Sequence, residues 1–228
     1  MRSYKLGFVL ILVALLFVSP AEAGSKAHIA PIKSKPYGKS YSQWSAAWWK
    51  WAVETPASVN PVSDTTGQFC AQGQSGKVWF LAGSFSSGPV TRTCIVPKGK
   101  ALFFPLLNKF YGAFLSDPAD QQTEAFLRDQ VACIADAALT LVTIDGVPVS
   151  NPQQYQEKSV LFSLFLPEDN IFGASDADIP ELTLTPVADQ GVYLFVFPLK
   201  PGQHTLRWQG SSAACGFSQD ITYHLTVQ

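Results

Sequence analysis

Beyond residue 76 the sequence is a succession of short apolar, β-prone runs separated by glycine- and proline-containing turns. Turn signals such as Ser86-Ser87-Gly88-Pro89, Asp145-Gly146 and Pro201-Gly202 recur too often for long helices. Many short strands with turns between them are typical of an all-β sandwich or barrel. The predicted strands are 77–85, 90–96, 101–107, a hairpin over 139–149, 160–166, 182–187, 192–199, 204–209 and 221–227.

Short connections between successive runs favour antiparallel pairing, and 90–96 is expected to pair with 77–85 across their turn. The run 101–107 is apolar throughout, which indicates a strand buried on both faces. The sequence therefore predicts an antiparallel β-sandwich of the jelly-roll or immunoglobulin-like kind. No repeat or linker divides residues 40–228, so we expect one domain, preceded by a mobile polar arm at 24–39.

Two helices are expected beside the strands. An S-x-x-Q capping box begins at Ser40, and Pro56 disfavours helical geometry at the residue before it, so one helix is predicted over 41–54. Asp117-Pro118 supplies an N-cap and a proline for the first helical position. A second, inserted helix is therefore predicted over 118–136.

The first helix is unusually rich in tryptophan. Its period places Trp44, Trp48 and Trp51 on one face, with Trp49 beside it. We expect these rings to be buried against the sheet, because each indole removes a large apolar area from water. Two alternatives stay open at this point. Exposed tryptophans could stack on sugar rings, as in a carbohydrate-binding module, or insert into a membrane interface.

The first 23 residues match a secretory signal peptide. Arg2 and Lys5 precede the apolar run 6–18, and Ala21-Glu22-Ala23 is an A-x-A cleavage site, so the mature chain is expected to begin at Gly24. The run is shorter than the roughly 20 residues of a membrane-spanning helix, although an uncleaved anchor is an alternative. The sequence therefore predicts a secreted or periplasmic protein with no transmembrane segment in the mature chain.

All four cysteines lie after the predicted cleavage site. An even number in an exported chain predicts two disulfides, and three pairings are possible. We favour Cys70 with Cys94 and Cys133 with Cys215. A zinc site is not expected, because there is no C-x-x-C and the three histidines are scattered. No metal or cofactor is expected.

Composition narrows the classes of partner. Hydrophobic residues make up 47% of the chain and charged residues 14%, which is typical of a folded domain rather than a disordered one. The formal net charge is -1 and no basic patch is present, so nucleic acid is not an expected partner. We expect an unidentified surface or periplasmic ligand instead.

No complete catalytic motif is present. The nearest approach to G-x-S-x-G has Lys77 in place of its second glycine. If the protein is a hydrolase, its site is assembled from distant residues, and the candidate acids and bases are His204, His224, Asp64 and Asp169. The leading hypothesis is a non-enzymatic binding or structural β-sandwich, with the hydrolase and the carbohydrate-binding module as alternatives.

Several strings resemble an uncharacterised family of exported bacterial proteins. They span most of the mature chain and lie at 44–51, 64–71, 73–83, 96–105 and 201–206. The resemblance implies a bacterial source, an exported product and a shared fold. It implies no activity.

Overall fold

The computed structural model describes residues 26–86 and 88–228, so the predicted signal peptide lies outside the described residues. This part of the chain is mainly β, with two α-helices and two five-stranded sheets. The helices are α1 (Tyr41–Glu54) and α2 (Glu124–Val131). The strands are β1 (Val78–Phe80), β2 (Pro89–Val96), β3 (Ala101–Phe114), β4 (Ala138–Ile144), β5 (Val147–Pro148), β6 (Gln156–Lys158), β7 (Phe162–Phe165), β8 (Thr183–Val196), β9 (Gly202–Ser212) and β10 (Phe217–Val227).

Both sheets are mixed rather than purely antiparallel. The first has the order β1-β3-β8-β6, with β7 also paired to β8, and the second has the order β2-β10-β9-β4-β5. The pairs β1–β3 and β2–β10 are parallel, so the predicted antiparallel sheet is wrong at these two places. The predicted hairpin between 77–85 and 90–96 is also wrong. Its first strand ends at Phe80, and the next residues, Leu81 to Ser84, are buried as a non-strand connection between the sheets.

An apolar cluster joins the two sheets. It combines β3 and β8 of the first sheet with β2, β9 and β10 of the second. The ring of Phe104 on β3 stacks on Trp208 of β9 at 5.1 Å between centroids, and Trp208 stacks on Tyr223 of β10 at 5.9 Å. All three rings are almost fully buried. This shared core places the two sheets against each other.

Helix α1 covers the other face of the first sheet. It begins at the predicted capping box, in which Ser40 accepts from the Gln43 N–H, and ends at Glu54. Trp44, Trp48 and Trp51 are buried as predicted, with exposed fractions of 9%, 2% and 8%. Trp49, which lies beside their face, is also buried, at 4% exposed. The helix thus turns its aromatic face to the core, and the sugar-stacking alternative lacks the exposed rings that it requires.

Strand β8 is longer than the sequence indicates. The sequence predicts two strands, 182–187 and 192–199, but one strand runs continuously from Thr183 to Val196. Gly191 is needed there for close packing rather than for a turn: a Cβ on it would lie 2.6 Å from the Asn108 Cβ on β3. Asp189 pairs within the same ladder, opposite Phe110.

The second helix is shorter than predicted. Asp117 does not cap it, because its carboxylate accepts the Phe114 N–H and closes a turn after β3. Thr123 is the N-cap and accepts the Phe126 N–H. The α-helix then ends at Val131 and continues as a 3₁₀ turn over Ala132–Asp136.

The described part of the predicted N-terminal arm is packed on the domain. Ile29 forms an isolated antiparallel bridge with Val196, and Ala30 is fully buried. The Tyr41 hydroxyl donates to the Ala30 carbonyl at 2.7 Å. The polar composition of 24–39 predicts a mobile arm. In the structure, the Ala30 N–H donates to the Phe195 carbonyl and the Phe197 N–H donates to the His28 carbonyl, which holds residues 28–30 against the end of β8.

Both predicted disulfides are present. Cys70 is joined to Cys94, and Cys133 is joined to Cys215. The second closes a loop across 82 positions and ties the 3₁₀ turn after α2 to the connection between β9 and β10. By chain entropy a loop of this length contributes about 4–5 kcal/mol. Within residues 26–86 and 88–228, no helix has the length and apolar character to cross a bilayer.

Trp48 provides the test of this architecture. Its ring is 2% exposed and its indole N–H donates to the Leu81 carbonyl at 2.9 Å. We expect Trp48→Ala to lower the free energy of unfolding by about 3–5 kcal/mol, because the truncation leaves a cavity and an unpaired carbonyl. Urea unfolding with the disulfides intact measures the change.

The half-exposed Lys50 on the same helix supplies the control. Lys50→Ala should change stability by no more than about 0.5 kcal/mol. Equal stabilities for Trp48→Ala and Lys50→Ala would contradict a structural role for the tryptophan face.

Candidate functional site

A cavity of ≈ 690 Å³ opens where α1, the middle of β3 and the β9–β10 connection meet. We call it the aromatic cavity. Its walls are formed by Trp48, Trp49, Val62 and residues 83–85, 108–110, 211–213 and 215–219. Binding sites for small molecules commonly have about 300–1,000 Å³ of volume. The aromatic cavity therefore has the size of a site for a small organic ligand.

One side of the cavity is a chain of aromatic rings. Trp49 lies against Phe110 with 4.4 Å between centroids, and Phe110 lies 6.1 Å from Phe172. Phe172 is in turn 6.5 Å from Phe85. Phe172 lies outside the lining, whereas Phe85 belongs to it and is 60% exposed, so the lining rings extend from a buried wall to an open rim. An exposed phenylalanine at a cavity mouth offers apolar area to a ligand.

The opposite side carries polar groups. Gln219 is only 5% exposed, and its Oε1 has no hydrogen-bond partner within the described residues. A Cβ on Gly83 would lie 3.1 Å from both end atoms of the Gln219 amide, so glycine at 83 leaves this amide its space. Ser212 is held by Asp136, whose Oδ1 lies 2.5 Å from the serine hydroxyl. A buried amide with an unused oxygen is able to bind a donor group on a ligand.

Lys109 is the one charged residue among those that line the aromatic cavity. Its ammonium lies 3.6 Å from the Cys133 sulfur of the disulfide, which is only a weak acceptor. Within the described residues no carboxylate lies close enough to form an ion pair with it. The cavity therefore has a positive group without a countercharge.

A buried carboxyl group lies behind the aromatic wall. Asp189 is fully buried, and its Oδ1 accepts from the Trp49 indole at 2.8 Å and from the Tyr193 hydroxyl at 2.6 Å. Its Oδ2 has no partner within the described residues. Burial raises the pKa of Asp189 to about 7, against the lowering effect of these two donors and of Arg128. This carboxyl is therefore part-protonated at neutral pH.

Two cavity residues are connected to this buried carboxyl by hydrogen bonds, one directly and one through Tyr193. The first is Trp49, through its indole N–H. The second is Asn108, whose amide donates to the Tyr193 hydroxyl at 3.1 Å. Burial raises the pKa of Tyr193 well above its ordinary value, so the hydroxyl stays protonated and serves as the donor to Asp189. The positions of Trp49 and Asn108 in the wall thus depend on one hydrogen-bond network.

The four candidate acids and bases are not brought together as a site. His204 binds Asp145 at 2.7 Å through Nδ1 and the Lys200 carbonyl at 2.7 Å through Nε2, so both ring nitrogens are used in structural contacts near the start of β9. His224 is exposed, with only a 3.4 Å contact from Nδ1 to Thr205. Neither histidine has Asp64 or Asp169 as a partner.

The two carboxylates serve loops. Asp64 accepts the backbone N–H groups of Thr66 and Phe69. Burial opposes ionisation of Asp64, but these donors outweigh it and lower its pKa. Asp169 accepts the Ser58 N–H at 3.0 Å, and hydrogen bonding from Ser58 lowers its pKa. Both carboxylates therefore stabilise loops by accepting backbone N–H groups. Within residues 26–86 and 88–228 there is also no group of three or more His, Cys, Asp or Glu suited to a metal ion.

Few of the residues that line or support the cavity are predictable from the sequence. Gln219 and Lys109 lie in or beside apolar runs without a motif. Asp189 had one usable signal, since it is a single charge in the apolar stretch 187–196. A single strand over this stretch would place the Asp189 carboxylate in the core. The prediction of two separate strands left Asp189 in the connection between them.

No protein-family model matches this chain, and no curated protein matches it. Among solved structures, a chain described as "Structure of PbICP-C in complex with falcipain-2" is similar at 15% sequence identity. The alignment covers 67% of this chain and 100% of that one, with a TM-score of 0.27. A TM-score this low carries no argument about fold or function.

Asp189 makes stability depend on pH in a defined direction. Its pKa rises from 3.8 to about 7 on folding, so the native state holds the proton more tightly and unfolding releases it between those values. The stability of the wild type relative to Asp189→Asn should therefore fall as pH rises from about 4 to about 7 and then level off. The total change is about 4 kcal/mol, at about 1.4 kcal/mol for each tenfold change in proton affinity.

Urea unfolding of both proteins at pH 4, 5.5, 7 and 8 measures this difference. The exposed Asp176 is the matched control, because Asp176→Asn removes a carboxylate without touching the network. Stability curves for the wild type and Asp189→Asn that run parallel over this range would contradict the assignment.

Proposed function

We propose that this chain is an exported, non-enzymatic β-sandwich protein that binds a small, largely apolar ligand in the aromatic cavity. The observation that carries the proposal is the cavity itself. It combines a volume of ≈ 690 Å³ with a wall of aromatic rings and a buried, unpartnered amide oxygen on Gln219. Apolar walls with a few convergent polar groups are characteristic of small-molecule sites.

The aromatic rings supply the attraction for such a ligand. Phe85 and Phe110 contribute apolar surface at the rim and the wall, and Trp48 and Trp49 close the inner end. Each square ångström of apolar surface removed from water contributes about 25 cal/mol, so a ligand of two or three fused rings gains several kcal/mol. Polar groups such as Gln219 then select among ligands of similar shape.

The hydrolase alternative has less support. His204 is bound by Asp145 and Lys200, whereas Asp64 and Asp169 close separate loops. Asp189 has a pKa suited to acid–base chemistry, but Trp49 and Tyr193 enclose it away from the cavity. These contacts favour binding over catalysis, because a catalytic acid or base needs a path to its substrate.

A neutral fluorescent probe tests the proposal. N-phenyl-1-naphthylamine is weakly emissive in water and brightens in apolar sites. We expect one probe to bind per chain, with enhanced, blue-shifted emission. Ala213→Phe should weaken binding about tenfold or more, because the added ring occupies cavity space at the rim.

The neighbouring Ala214 gives the matched control. It is equally exposed, lies in the same connection and does not line the cavity. Ala214→Phe should bind the probe as the wild type does. Absence of probe binding by the wild type, or equal weakening in both variants, would remove the cavity as the binding site.

Export is proposed on separate grounds. The signal-like N-terminus, the two disulfides and the resemblance to exported bacterial proteins support it. Expressed in a bacterial host, the protein recovered outside the cytoplasm should begin at Gly24. N-terminal sequencing reads this directly.

The cleavage site has its own paired variants. Ala23→Leu should leave an uncleaved precursor, because signal peptidase requires a small residue at that position, whereas Glu22→Gln should be processed normally. Processing of both variants at Gly24, or recovery of full-length wild type in the cytoplasm alone, would contradict the proposed export.

A further inference from the structure

We propose that the ligand of the aromatic cavity is an amphipathic organic anion, with an apolar ring or chain on the aromatic wall and a single acidic group bound by Lys109. This inference rests on the proposed binding function and adds the charge class of the ligand. It comes from the distribution of charge in the cavity, which is one-sided.

The lining residues contain one cation and no anion. Lys109 comes from the middle of β3, and its ammonium lies at the disulfide that joins Cys133 to the cavity-lining Cys215. The disulfide sulfur of Cys133 is its hydrogen-bond partner at 3.6 Å. A sulfur atom offers little charge stabilisation to an ammonium, so a ligand anion would be the strongest available acceptor.

The nearby carboxylates do not take this role. Asp136 is engaged by the Ser212 hydroxyl and by the Ala214 N–H at 2.9 Å. Asp189 is fully buried behind Trp49, with its Oδ1 already holding two donors. Neither lies within ion-pair distance of the Lys109 ammonium. The positive charge is therefore available to the cavity.

The polar wall complements the cation. Gln219 presents a buried amide whose oxygen has no partner within the described residues. A hydroxyl or an amide N–H of the ligand would satisfy this oxygen. A neutral hydrocarbon would leave both the ammonium and this amide unsatisfied, at a cost to its affinity.

Two probes with the same ring skeleton separate charge from shape. They are 8-anilinonaphthalene-1-sulfonate, an anion, and N-phenyl-1-naphthylamine, which lacks the sulfonate. We expect the wild type to bind the anion more tightly. Lys109→Met should weaken binding of the anion by about 10- to 100-fold, as expected for loss of a charge-assisted hydrogen bond, and leave the neutral probe within about twofold.

Two further variants control the measurement. Lys109→Arg keeps the charge and should retain most of the affinity for the anion. Lys98→Met removes an exposed lysine from the turn at the far end of β3 and should change neither probe. Raising the ionic strength should weaken only the anion, because salt screens the ion pair.

The outcomes distinguish the two proposals. If the neutral probe binds and the anion binds no better, or if Lys109→Met leaves the anion unchanged, the charge class is wrong and the binding function stands. If neither probe binds the wild type, the binding function itself fails. If Lys109→Met weakens both probes equally, the lysine acts through packing and the inference is overturned.

Discussion

The hydrogen bonds of the buried Arg92 guanidinium connect the parts of this structure that its helices and sheets do not join. Arg92 is 1% exposed, and its donors reach five oxygens. Within the described residues it has no carboxylate partner. Its N–H groups instead donate to four backbone carbonyls and one hydroxyl. The planar guanidinium has five N–H donors for these acceptors, whereas a lysine ammonium has only three. The acceptors are the carbonyls of Val62, Asp64, Ala82 and Gly83 and the hydroxyl of Tyr223.

These acceptors belong to three separate parts of the chain, and no shared helix or sheet ladder joins the three parts to one another. Val62 and Asp64 lie in the long loop after α1, Ala82 and Gly83 leave the first sheet, and Tyr223 is in the second. Trp48 holds the same connection from the other side, through the Leu81 carbonyl. Val62 and Gly83 also line the aromatic cavity, so Arg92 binds two of the backbone segments that form its walls.

Local signals in the sequence were sufficient for helix α1, the disulfides and the tryptophan burial. The capping box at Ser40 and Pro56 define the helix in a way that needs no tertiary context. Strand partners were not predictable in the same manner. A short connection between β1 and β2 indicates a hairpin, but Arg92 points to the inner face of β2, where it binds Ala82 and Gly83 and holds them outside any ladder. In β2, Arg92 lies with Val90 and Cys94 on the buried face, and no local pattern in the sequence identifies its acceptors.

The cavity could not be predicted from the sequence, because it also depends on which strands are paired. Its walls come from α1, β3 and the β9–β10 connection, whose proximity depends on the sheet order. The sequence allows the tryptophans to be either core residues or ligand-binding residues. Trp48 and Trp49 are buried in the core and also line the cavity. Trp49 gives its indole N–H to Asp189, packs on Phe110 and still contributes a face to the cavity. A rigid aromatic wall of this kind loses little conformational entropy when a ligand binds, because packing on one side has already fixed the ring that the ligand contacts on the other.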